Sequence, residues 1–147
     1  ISMYYPPESQ IHILARGLIF QGESILICTA KNSGKSFLPG GHVDNGERLQ
    51  VALRRELKEE LGNHDYQVGE LVGICENIFE RKENILQQEI SFIYKVTVQE
   101  DEKLISQEDH LQFSLVNFQE FSKTSVLPEA LHRALIEWLQ NKNFFSV

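Results

Sequence analysis

Cysteine is nearly absent. The 147-residue chain has two, Cys28 and Cys75, each inside an apolar run (SILICTA and ELVGICENIF). That excludes a disulfide framework; both are expected to be buried thiols, and a reducing compartment fits them best. Basic charge is the minority, with 14 Lys and Arg against 21 Asp and Glu and a net charge of −7. This balance argues against a partner that is a DNA or RNA polymer or an anionic membrane. It leaves small anionic substrates open, because these answer to a local site. No apolar stretch approaches the roughly 18 residues of a membrane span. The N-terminus lacks a basic region followed by a hydrophobic one, so a cytoplasmic protein is expected. Repeats and low-complexity tracts are also missing. What is present, 41% hydrophobic and 24% charged residues, is enough to build one core.

Residues 1–10, with Tyr4, Tyr5, Pro6 and Pro7, read as an extended arm, since each proline restricts its predecessor. Residues 11–147 read as one layered α/β or α+β domain. Runs 11–20 and 24–30 are strands joined by a Gln21-Gly22-Glu23 hairpin. Lys31–Lys35 is a loop, and Ser36–Pro39 is a short strand leading to Gly40-Gly41. From Glu47 to Leu61 the pattern is helical, with Leu49, Leu53, Leu57 and Leu61 every four residues and Gly62 as the stop. Residues 66–80 and 86–99 form a β pair, followed by an acidic loop over 100–109 and a strand at 111–116. Asn117 is a candidate N-cap with Glu120 three positions on, and Pro128 opens an amphipathic helix carrying Leu131, Leu135, Trp138 and Leu139.

The helix over 47–61 carries an anomaly. Glu56, Glu59 and Glu60 stand at i, i+3 and i+4 on one face. Like charges at that spacing repel by roughly 0.2–0.5 kcal/mol per pair. Two of them also lie in the last turn, where the helix dipole disfavours anions. Arg55 can absorb Glu59 at i+4, which accounts for one carboxylate and not three. Three oxygen donors on one face suit a hard divalent cation such as Mg²⁺ or Mn²⁺. Just upstream, Gly40-Gly41 is flexible backbone able to approach an ion or a phosphate closely.

Written out, residues 41–63 are GHVDNGERLQVALRRELKEELGN. This resembles the Nudix box, G-x5-E-x7-R-E-U-x-E-E-x-G-U, where U is a bulky aliphatic residue. Gly41, Glu47, Arg55, Glu56, Leu57, Glu59, Glu60 and Gly62 fall on its fixed positions. Asn63 departs from the last one, which bears on packing after the helix and not on the chemistry. The strand and LPGG lead-in, the later β pair and the terminal helix extend the resemblance over roughly residues 10–140. It implies a Nudix α/β/α sandwich with a mixed sheet, and a metal-dependent hydrolase that cleaves a nucleoside diphosphate linked to another moiety. By the same resemblance Glu56, Glu59, Glu60 and the Gly40 carbonyl hold the metal, and Arg55 orients the carboxylates. Glu47 is expected to tie loop and helix together.

The proton acceptor for the attacking water is either a box glutamate or a residue on a later strand. Glu89, a carboxylate inside QQEISFIY, is the candidate of the second kind; the alternative is an outward, solvated side chain. Arg16 shares strand parity with Leu14, Leu18 and Phe20, and is either a phosphate or substrate contact or a paired structural arginine. Phe79 and Arg81, in a turn read at NIFERKEN, are substrate candidates, as are Tyr4 and Tyr5. Trp138 is expected in the core and His42 in a solvated loop. Nucleotide sugars or similar groups are the preferred substrates, with triphosphates and dinucleoside polyphosphates as alternatives. A Nudix-fold module that binds without turnover is a further alternative, though such modules usually lose box glutamates. A homodimer is compatible with all of these.

Overall fold

In the computed structural model, residues 10–147 are described, so the expected arm lies outside the described residues except for Gln10. Eleven elements follow in order: β1 (Gln10–Gln21), β2 (Ser24–Ala30), β3 (Ser36–Phe37), β4 (Gly40–His42), α1 (Leu49–Leu61), β5 (Gln67–Lys82), β6 (Ile85–Val98), β7 (Leu111–Asn117), α2 (Phe118–Lys123), α3 (Glu129–Asn141) and β8 (Phe145–Ser146). The main path of the sheet is β3-β2-β1-β6-β5-β8, with β4 added to β1 and β7 to β2. β1 pairs β6 in parallel, and β5 pairs β8 in parallel. The other strand pairs are antiparallel, so the sheet is mixed.

Helices cover both faces, which is the sandwich the sequence implied. Alternation along β1 sends Ala15 and Ile19 toward Leu53, Leu57 and Leu61 of α1. It sends Leu18 and Phe20 toward Phe121 of α2 and Leu131, Leu135 and Trp138 of α3. Burying each of the larger ones, such as Ile19, Leu18 or Leu57, is worth about 1.5–3 kcal/mol, so β1, with helices on both faces, anchors both layers. Trp138 is 2% exposed and belongs to that core. Among the described residues no helix is long and apolar enough to cross a membrane.

Local signals are realised at several ends. Gly62, with φ 92°, stops α1 and donates its N–H to Lys58 O. Asn117 and Glu120 form the reciprocal capping box of α2. Four readings are corrected. Arg48 is the N-cap of α1, so Glu47 precedes the helix. Gly40-Gly41 is paired backbone, not a free loop, because β1 supplies its hydrogen-bonding edge; His42 lies in the same strand. β5 runs to Lys82, so Phe79 and Arg81 are strand residues and the turn falls at Glu83-Asn84, where Asn84 takes φ 62°. β8 went unread because two residues show no periodicity.

Candidate functional site

The site begins where β4 lies on β1, with Arg16 opposite Gly40 and Ala15 opposite Gly41. At Gly40, φ is 133° and an added Cβ would stand 2.2 Å from the Ala15 carbonyl oxygen, so only glycine fits. At Gly41 an added Cβ would stand 2.5 Å from the carboxylate carbon of Glu56. The double glycine therefore lets β4 press directly against the carboxylate face of α1. Gly40 N–H donates to Glu60 Oε2 at 3.4 Å.

Arg55 organises that face. Its Nε and Nη2 donate to the two oxygens of Glu47 at 2.8 and 3.0 Å. Its Nη1 donates to Glu56 Oε1 at 3.1 Å and to Glu59 Oε1 at 3.2 Å, and Nη2 also reaches His42 O at 2.9 Å. A planar fork with several donors thus hydrogen-bonds three carboxylates where the i+4 spacing marks one, and Asp44 Oδ2 lies 3.5 Å from Nη2. Glu47 additionally accepts the Asp44 N–H at 3.0 Å, which ties the loop to the helix. These bonds, Arg55 first, hold the Glu47 carboxyl down at about 2, and they raise the Arg55 guanidinium well above its ordinary value.

Glu60 differs from its neighbours. It is 6% exposed and has no ion-pair partner among the described residues. Burial pushes its carboxyl up to about 8, against the Gly40 hydrogen bond, and the charge of Glu56 adds to the shift. Burial also raises Glu56, with Arg55 opposing. Among the described residues no three His, Cys, Asp or Glu side chains already converge on one point. Glu56 and Glu59 instead turn one oxygen each toward Arg55. The donor set is nonetheless chemically suited to a hard divalent cation: carboxylate oxygens on one helical face, one of them buried without a counter-charge.

Beside this face lies a cavity of about 180 Å³ lined by Arg16, Phe37, Asn77, Glu89, Ser91, Leu127 and Pro128. Arg16 Nη1 donates to Leu38 O at 2.9 Å, and its guanidinium carbon lies 5.6 Å from the Phe37 ring centroid. It makes no ion pair among the described residues, which departs from the paired structural reading. Burial lowers its pKa, and the carboxylates of Glu89 and then Glu60 pull it back up. Arg16 therefore feels the cavity acid and the box acid together. Glu89 lines the cavity and is half-buried. Phe79 and Arg81 are exposed and lie outside that lining. Tyr4 and Tyr5 are outside the described residues. His42, exposed as expected of it, joins His12 through Nε2 to Nδ1 at 3.0 Å.

Asn77, Ser91 and Phe37 were missed. Asn77 sits directly opposite Glu89 in the β5–β6 register, and Ser91 shares strand parity with Glu89, so pairing those two strands would have found both. Nothing local marks Leu127 and Pro128, which reach the cavity only through the tertiary fold.

The NUDIX domain family model matches residues 11–139. No curated protein matches the chain. Among solved structures it is similar to a MutT protein from Methanosarcina mazei Go1, at 21% identity and TM-score 0.73, over 94% of this chain and 99% of that one. It is also similar to a UDP-X diphosphatase at 17% identity and TM-score 0.69, over 99% of this chain and 68% of that one. A C. elegans Ap4A hydrolase matches at 16% identity and TM-score 0.67, over 91% of this chain and all of that one. These likenesses show the fold, and the family match covers the carboxylate helix, its glycine lead-in and the strands behind them: the chain belongs to the Nudix hydrolases, enzymes of phosphoanhydride bonds.

Proposed function

We propose that the protein is a metal-dependent pyrophosphohydrolase acting on a nucleoside diphosphate linked to a sugar or similar group. The observation that carries this reading is the cavity of about 180 Å³ set against the carboxylate face, with Arg16 between them. The likeness to a UDP-X diphosphatase is in keeping with such a substrate.

Glu56, Glu59, Glu60 and the Gly40 carbonyl are the proposed holders of Mg²⁺ or Mn²⁺. Such an ion would supply charge neutralisation for the diphosphate oxygens and activation of the attacking water. Arg55 acts on the carboxylates and not on the substrate, keeping Glu56 and Glu59 pointed along one face. Glu89 takes the proton of the attacking water; it is the cavity's own carboxylate, and Arg16 lines the same cavity. Arg16 also keeps donors beyond the one given to Leu38 O, and these steady the diphosphate. Phe79 and Arg81, further along the β5 face and edge, meet the distal part of the substrate.

Product analysis over a nucleotide panel with Mg²⁺ tests the reading. Cleavage within the diphosphate should yield a nucleoside monophosphate and a phosphorylated partner, and Glu59→Gln should lose at least about a hundredfold in turnover. Preferred release of pyrophosphate from a triphosphate would overturn the substrate class and leave the box chemistry in place.

A further inference from the structure

β8 covers only a short stretch, Gly73 to Glu76, in the middle of the outer edge of β5. It pairs Phe145 with Gly73 and Ser146 with Ile74, and the last bond there is Glu76 N–H donating to Val147 O at 2.8 Å. Beyond it β5 has β6 on one side and, among the described residues, no strand on the other. Glu76 turns its backbone outward, so alternation turns that of Ile78 and Glu80 outward as well. A row of unpaired N–H and C=O groups is a template for another strand. Between the charged Glu76 and Glu80 that run exposes two large apolar side chains, Ile78 at 61% and Phe79 at 39%, on opposite faces. On the Ile78 face the registers Ile11↔Gln88↔Ile78 and Leu86↔Glu80 bring up two more exposed apolar residues, Ile11 and Leu86.

We propose that this edge is a self-association surface, on which a second copy of the chain lays its own β5 antiparallel, about a two-fold axis at Phe79. A two-fold normal to the sheet keeps each face on its own side, so residues opposed across the join share parity. Few centres are then available. Centring on Asn77 drives the partner into β8. Centring on Ile78 sets Glu76 against the partner's Glu80, and centring on Glu80 sets that carboxylate against its own copy. Centring on Phe79 opposes Ile78 to the partner's Glu80 and stacks Phe79 on the partner's Phe79, with no like charges across the regular run. The irregularity between Glu80 and Lys82 ends that run. The row Ile11, Gln88, Ile78 then continues into the partner's Glu80 and the partner's Leu86, so that apolar and polar side chains alternate across the join. Phe79 is on the face that carries Asn77 and Glu89, so each copy adds an aromatic ring near the other's cavity.

Sedimentation of the full chain from micromolar to near-millimolar concentration should show a reversible dimer. Ile78→Glu sets a carboxylate against the partner's Glu80 twice and should weaken the dimer at least about tenfold. Ile78→Lys removes the same apolar surface but sets opposite charges together, and should dimerise more tightly than Ile78→Glu. Phe79→Cys should cross-link two copies under mild oxidation, because residues opposed in a non-hydrogen-bonded pair approach within disulfide reach, while Cys28 and Cys75 are buried. Ile78 and Phe79 are surface positions, so circular dichroism should show all three variants folded. A chain monomeric throughout, a dimer weakened equally by Glu and Lys at position 78, or a Phe79→Cys dimer that does not cross-link would each overturn the proposal.

Discussion

Arg55 shows how far one side chain's role exceeds its spacing. Position i+4 announces Glu59, yet the guanidinium also holds Glu47 and Glu56, and Glu47 is eight residues away. That reach depends on the loop at Asp44–Glu47 folding back, which no helical periodicity encodes. Glu60, left over by Arg55, was visible only as one of three like charges; its burial under β4 is what singles it out. Glu89 is the residue whose orientation the strand pattern left open, and the cavity decides it. Glu89→Gln keeps the shape and removes the base, so turnover should fall at least about tenfold with little change in Michaelis constant. The acid limb of the pH–rate profile should move with it. A variant with wild-type turnover and profile would return the proton to a box glutamate.

Among the elements, β4 and α1 form the working unit, and the two glycines of β4 have separable duties. Gly41→Ala meets the end of a flexible side chain, the Glu56 carboxylate. It should cost less than about 1 kcal/mol of stability, as surface changes do, while lowering activity at least about tenfold by displacing a proposed ligand, about the effect of a supporting residue around a metal. Gly40→Ala meets the Ala15 carbonyl and a positive φ. It should destabilise the fold by about 1–3 kcal/mol or more. Paired denaturant melts and rate assays check this contrast; equal losses of stability in the two variants would count against it. Elements with their own chemistry were legible in advance: the leucine stripe of α1, the Gly62 stop and the Asn117–Glu120 box each lie within a few residues of what they control. β4 and β8 were not, because strands of two or three residues are specified by the neighbour they pair with.

At the scale of the whole molecule, Glu60 couples the site to stability. In the fold its carboxyl stays protonated up to about 8 against an ordinary 4.5, so between those values the folded state binds a proton that the unfolded chain has released. Stability from the neutral form is complete below about 4.5 and drains away as pH rises toward about 8. Glu56 acts with the same sign. In chelator, Tm should therefore fall across that window, and Glu60→Gln should flatten the fall and melt higher than wild type at its upper end. Mg²⁺ there should raise the wild-type Tm by mass action, and raise that of Glu60→Gln less. Superimposable pH–Tm profiles for the two proteins would show that Glu60 is ionised in the fold.

The family, the helix that carries the carboxylates, the strands that flank it and the two helices that cap the other face are all legible in the local order of residues. These follow from the hydrophobic period, from capping chemistry and from a box whose residues lie within one short segment. It took the folded chain to show that Arg55 pairs with four acids, that Glu60 is buried without a counter-charge, and that Arg16, Phe37, Asn77, Glu89, Ser91 and Pro128 share one cavity. What separates the two groups is distance along the chain. A side chain's burial and field come from segments tens of residues away, brought beside it by sheet pairing that local pattern does not record.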